Sequence, residues 1–181
     1  TGQLNTFVGG LAGDGSDDGS SNTAVGYAAL SANAGSNNTA VGSVALSSTT
    51  GELNTGIGKQ AGTAITSGVQ NTIVGANAGD ALTDADFNVA LGYNSLSTDT
   101  LGSRSTAIGR SALKNQNFTS ATDAYNVAVG FVAGESVTTG LRNTIMGGLA
   151  GDALTSGNNN VVLGYNALGA DTKGNNSVSV G

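Results

Sequence analysis

Asn22-Thr23-Ala24-Val25-Gly26-Tyr27-Ala28-Ala29-Leu30 is answered at 38 to 46 by Asn-Thr-Ala-Val-Gly-Ser-Val-Ala-Leu and at 160 to 168 by Asn-Val-Val-Leu-Gly-Tyr-Asn-Ala-Leu. The head of this block, Asn-Thr-x-Val-Gly with light variation, returns eleven times in 181 residues. Its anchoring glycines are Gly9, Gly26, Gly42, Gly58, Gly75, Gly92, Gly109, Gly130, Gly147, Gly164 and Gly181, at intervals of 17, 16, 16, 17, 17, 17, 21, 17, 17 and 17. A unit this short cannot enclose a core alone and must stack on its neighbours, so the repeat predicts an all-β solenoid of about ten coils spanning 1-181 as a single repeat domain. A coil four residues longer falls within 110-130.

Periodicity within the unit sets the strand. The residue before each anchoring Gly is apolar (Val8, Val25, Val41, Ile57, Val74, Leu91, Ile108, Val129, Met146, Leu163, Val180), and two residues earlier stands Thr or Val. Two apart on a strand means one face, and this pair of columns reads as core. The residue between them (Phe7, Ala24, Ala40, Ile73, Ala90, Ala107, Ala128, Ile145, Val162 among others) is also mostly apolar. Strands apolar on both faces are usually covered on both, so the expectation is that this second face packs against sister chains around a symmetry axis. The Ala column three residues past each Gly predicts a second short strand. Asn in nine of eleven units, with Ser105 and Ser177 as substitutes, predicts amides bonded from coil to coil. Gly at the anchor predicts a positive φ or a close backbone approach.

Composition narrows the function classes. Thirty Gly and 4% aromatic residues argue for a thin interior, and a net charge of −6 with only six scattered Lys and Arg argues against binding nucleic acid. The chain has no Cys, His, Trp or Pro, which removes disulfides, imidazole and thiol metal sites and the commonest general base. No apolar run approaches a membrane helix, so direct membrane insertion by this segment is not expected. Opening inside a repeat, the chain reads as an internal segment of a longer fibre.

The blocks at 22 to 30, 38 to 46 and 160 to 168 resemble the repeats of trimeric autotransporter adhesin heads and of related phage and bacterial tail-fibre proteins, and the closing Asn-Asn-Ser-Val-Ser-Val-Gly at 175 to 181 resembles their last head repeat. The resemblance implies a left-handed parallel β-roll, a homotrimer, and display in an extracellular setting, on a virion tail fibre or a bacterial cell surface. Coils of 16 to 17 residues are longer than the adhesin-head unit.

Several chemistries compete with scaffold. Val-Gly-x-x-Ala-Leu fits one hexapeptide of the left-handed acyltransferases, but the hexads are not consecutive and His is absent, so no enzyme activity and no cofactor are expected. Ice binding by a Thr column is disfavoured by the expectation that Thr shares the buried face with Val. Asp14, Asp17 and Asp18 form an acidic turn with a faint likeness to a calcium loop, without the bidentate Glu or full ligand set of an EF-hand. Lys114, Phe118 and Tyr125 lie in the long coil, where recognition can be added to a regular shaft, and Tyr27, Tyr93 and Tyr165 follow their glycines and are placed to stack on sugars. The reading is a structural shaft or head segment of a trimeric attachment fibre that displays a receptor-binding tip. The alternatives are a module that itself binds a cell-surface glycan or receptor, and an ice-binding solenoid.

Overall fold

The computed structural model describes residues 2–181 and contains, among them, thirteen strands and no helix. The strands are β1 (Thr6–Val8), β2 (Thr23–Val25), β3 (Thr39–Val41), β4 (Thr55–Ile57), β5 (Thr72–Val74), β6 (Val89–Leu91), β7 (Gly102–Ser103), β8 (Thr106–Ile108), β9 (Thr122–Asp123), β10 (Val127–Val129), β11 (Thr144–Met146), β12 (Val161–Leu163) and β13 (Val178–Val180). Eleven of them form one parallel sheet in chain order, and β7 pairs with β9 beside it. Every Asn-Thr-x-Val-Gly block thus supplies one rung of a β-solenoid, with Thr6 opposite Thr23, Thr23 opposite Thr39 and Thr39 opposite Thr55. At about 4.8 Å per rung the stack is roughly 48 Å long.

The strand parity is the reverse of the expected one. The middle residue points inward: Ala24, Ala40, Ile73, Ala90, Ala107, Ala128 and Ile145 have no exposed surface. Val25, Ile57, Leu91, Met146 and Leu163 point outward with 36% to 47% of their surface exposed, and the Thr column lies beside them. The cause is space. A coil this thin has room for one small or medium side chain per strand, and burying the Thr column would also strand its hydroxyls.

Interior volume is balanced within each coil. In four of the five coils where the position four past the anchor is Leu, the strand residue is Ala: Ala24 with Leu30, Ala40 with Leu46, Ala90 with Leu96 and Ala107 with Leu113, all fully buried; in the last, Val162 is buried and Leu168 is pushed to half-burial. Where that position is Gly, a larger side chain fills the space. A Cβ on Gly79 would stand 3.0 Å from both Ile73 Cδ1 and Leu82 Cδ1, and one on Gly62 would stand 2.9 Å from Ile65 Cδ1. The compensating residue seven past the anchor is apolar in four of the five Gly coils (Ile65, Leu82, Val137, Leu154) and polar in several Leu coils (Thr49, Asp99, Gln116), and all of these are buried; in the first Gly coil that position is Ser16, and the Phe7 ring fills the space over Gly13 instead. Leu and Gly at the position four past the anchor come in adjacent pairs, Leu30 with Leu46, Gly62 with Gly79, Leu96 with Leu113 and Gly134 with Gly151, and the balance inside each coil keeps the cross-section even.

The predicted second strand is absent. Its Ala column is buried as expected at Ala29, Ala45, Ala61 and Ala78, but the flanking residues adopt left-handed φ, 51° at Ala28 and 52° at Leu30, so the backbone zigzags instead of extending. Its amides still bond between coils, Ala28 N–H to Gly10 O at 2.9 Å and Leu30 N–H to Ala45 O at 3.0 Å. The anchor glycines satisfy both expectations. Gly26 has φ 134°, and a Cβ there would meet the Gly42 carbonyl oxygen at 2.6 Å.

The Asn column is a buried ladder from Asn22 to Asn88 and again from Asn126 to Asn160. Asn38 N–H donates to Asn22 Oδ1 at 2.8 Å and Asn54 N–H to Asn38 Oδ1 at 2.9 Å. Each Nδ2 reaches a return-segment carbonyl one coil on, as Asn54 does to Gly68 O at 2.8 Å and Asn143 to Gly157 O at 2.8 Å. These bonds satisfy buried backbone that no strand partner reaches.

Candidate interaction surface

Two columns border the outward sheet face, one on each side. The residue just before the Asn column runs Leu53, Gln70, Phe87, Arg104, Tyr125, Arg142, and the residue just after the anchor Gly runs Tyr27, Ser43, Lys59, Ala76, Tyr93, Arg110, Phe131, Gly148, Tyr165. All three arginines of the chain therefore stand at the margins of the sheet. The Arg104 guanidinium lies 4.5 Å from the Phe87 ring centre and 5.9 Å from that of Tyr125, and its Nε donates to Asp123 Oδ1 at 3.0 Å. Across the sheet on the same coil, Arg110 lies 6.0 Å from the Tyr93 ring centre and 5.4 Å from that of Phe131. Arg110 has no carboxylate within ion-pair distance among the described residues.

Of the sequence candidates, Tyr27, Tyr93, Tyr125 and Tyr165 are on the surface, with Tyr165 the most open at 75% exposure. Phe118 is not. It is 7% exposed, because it packs on Gly102, where a Cβ would meet its Cδ2 at 2.8 Å, and its N–H donates to Asp99 Oδ1 at 2.9 Å. Lys114 Nζ lies 3.7 Å from Glu135 Oε1 of the next coil, a partly exposed ion pair.

The long coil repairs a break in the Asn ladder. Ser105 is too short to act as Asn does, and the following return swings Gln116 into the gap. Gln116 Nε2 donates to Asp99 Oδ2 at 2.6 Å and to Ser105 Oγ at 3.1 Å, and Gln116 Oε1 accepts from Asn126 Nδ2 at 2.8 Å. Asp99 Oδ1 also accepts the Gly102 N–H at 3.1 Å. All four side chains are buried. The signal was present in the sequence, since the one internal Ser in the Asn column and the one long coil coincide.

No family model, curated protein or solved structure matches this chain. Its chemistry rests on the residues themselves. Among the described residues, no three or more Asp, Glu, His or Cys side chains come together as a metal-holding group, so Asp14, Asp17 and Asp18 do not converge in that way. Asp17 N–H donates to Asn33 Oδ1 at 3.1 Å, and Asp18 lines a shallow polar cleft with Asn33, Ser36, Thr50 and Glu52. Burial pushes the Asp80 carboxyl above the usual carboxylate range, with its own backbone N–H acting in the lowering direction, and Asp80 Oδ1 is enclosed without a hydrogen-bond partner. No helix among the described residues is long and apolar enough to cross a membrane.

Proposed function

We propose that the chain is a shaft or head segment of an extracellular attachment fibre, a left-handed β-roll assembled as a homotrimer on a virion tail or a bacterial surface. The observation that carries the reading is the outward apolar column, Val8, Val25, Val41, Ile57, Val74, Leu91, Ile108, Val129, Met146, Leu163 and Val180, running unbroken along the sheet. A continuous apolar stripe on a single chain is a surface that another surface covers, and identical chains side by side present identical stripes in register. The sister chains meet on this Thr-and-Val face, whereas the Ala face assigned to them from the sequence lies inside the coil. The likeness of the repeats to adhesin heads and tail fibres supports the same assembly. Its work is mechanical, holding a receptor-binding tip away from a base. Ile108→Lys tests the assembly, because an unpaired charge at a covered interface separates the chains while the coil interior is untouched. An unchanged assembly mass in that variant would refute the interface.

The reversed parity also favours a second reading. Thr6, Thr23, Thr39, Thr55 and Thr72 form an outward ladder on five consecutive rungs, a regular hydroxyl-and-methyl array of the kind that orders water on an ice face. Thermal hysteresis separates the readings, since a sheet covered by sister chains has none.

A further inference from the structure

We infer that the column after the anchor glycines is a binding strip for a linear, sparsely carboxylated glycan, with Tyr93, Phe131 and Tyr165 as stacking platforms and Arg110 as the carboxylate contact. The three aromatics recur on every second rung, at roughly 10 Å spacing, which matches two β-linked sugars laid end to end. Their outward rings are accessible, at 49%, 54% and 75% exposure. Tyr165 leans over Gly148, whose Cβ position is 3.6 Å from Tyr165 Cδ2, so one ring edge rests on the shaft and the rest is open. Tyr27 leans on Gly10 in the same way, with 3.8 Å to its Cδ2. Beside the strip, Asn94 and Asn166 supply amides of the kind that bond sugar hydroxyls.

Charge selects the ligand. Arg110 has no acid partner among the described residues, is held between the Tyr93 and Phe131 rings, and its planar fork suits a carboxylate. Arg104, on the opposite margin, is already paired with Asp123. The chain carries −6 overall, so a densely sulfated polymer is repelled, whereas a glycan with one carboxylate per two sugars meets Arg110 with a neutral sugar on each flanking ring. Such binding is separate from trimer formation and is measured on the protein in whatever state of assembly it holds.

Calorimetric titration with a hyaluronan decasaccharide, in which uronate and neutral sugars alternate, tests the strip, with a neutral chitin oligosaccharide and heparin as comparisons. Expected are binding of hyaluronan in preference to both, a loss of about tenfold or more in Arg110→Gln and in Tyr165→Ser, and no change in Arg104→Gln. Unchanged thermal transitions show that these exposed-site variants remain folded. No binding of hyaluronan at millimolar concentration, tighter binding of heparin, or full affinity in Arg110→Gln overturns the inference.

Discussion

Ile73→Ala and Val74→Ala, adjacent residues on β5, divide the inside of the coil from the outside. Ile73 has no exposed surface and packs on Gly79, so its neighbours have no side chain with which to refill the space. Removing three carbon groups at ~0.8 kcal/mol each costs about 2.4 kcal/mol, and a residual cavity of roughly 50 Å³ at about 24 cal/mol per Å³ adds about 1.2 kcal/mol. The total, roughly 3.5 kcal/mol, lies within the range of large-to-small core changes. Val74 faces out from the same strand and its truncation costs a single chain less than about 1 kcal/mol. Any further loss in Val74→Ala comes from assembly and so depends on protein concentration, whereas the loss in Ile73→Ala does not. Denaturant melts at two concentrations a hundredfold apart read both quantities. An equal, concentration-independent loss in the two variants would refute the parity. Because each rung supports the next, hydrogen exchange in Ile73→Ala is expected to show opening spread over adjacent coils.

Asp80 is destabilising when ionised: its folded pKa is raised above 3.8, so the fold favours the protonated form, and stability falls as pH rises from below 3.8 through the folded value. Asp80→Asn is therefore expected to melt with the parent near pH 3 and above it at pH 7, and equal melting at both would contradict the enclosed carboxylate. Val44 holds a left-handed φ of 61° where other coils place Asn77, Asn94 and Asn166, so Val44→Asn raises stability by about 1 kcal/mol, read from its denaturation midpoint. Gln116→Ala leaves Asp99 and Asn126 short of buried partners and costs about 2–4 kcal/mol. Hydrogen exchange then places the opening at β7 and β9, and protection equal to the parent's there would remove Gln116 from the repair.

The repeat made the solenoid, the rung, the anchor glycines and the Asn ladder legible, because each depends on backbone spacing and on one residue type per column. Parity was not legible, because Thr-Ala-Val is apolar enough for either face and only the width of the coil decides between them. The second strand was misread because a buried Ala column has the same spacing whether the chain extends or zigzags through left-handed residues such as Leu30 and Leu46. Phe118 was assigned to the surface because extra residues usually project from a shaft. Here they turn inward to satisfy Asp99 and Asn126. The cation–aromatic stacks were missed because Phe87, Arg104 and Tyr125 are far apart in sequence and adjacent only once coils are placed in register.

Sedimentation equilibrium at micromolar concentration, on the parent protein and on Ile108→Lys, tests the assembly directly. The parent is expected to sediment at three times the 17.5 kDa chain mass and the variant as a folded single chain. A parent that sediments as a single chain of 17.5 kDa contradicts the assembly.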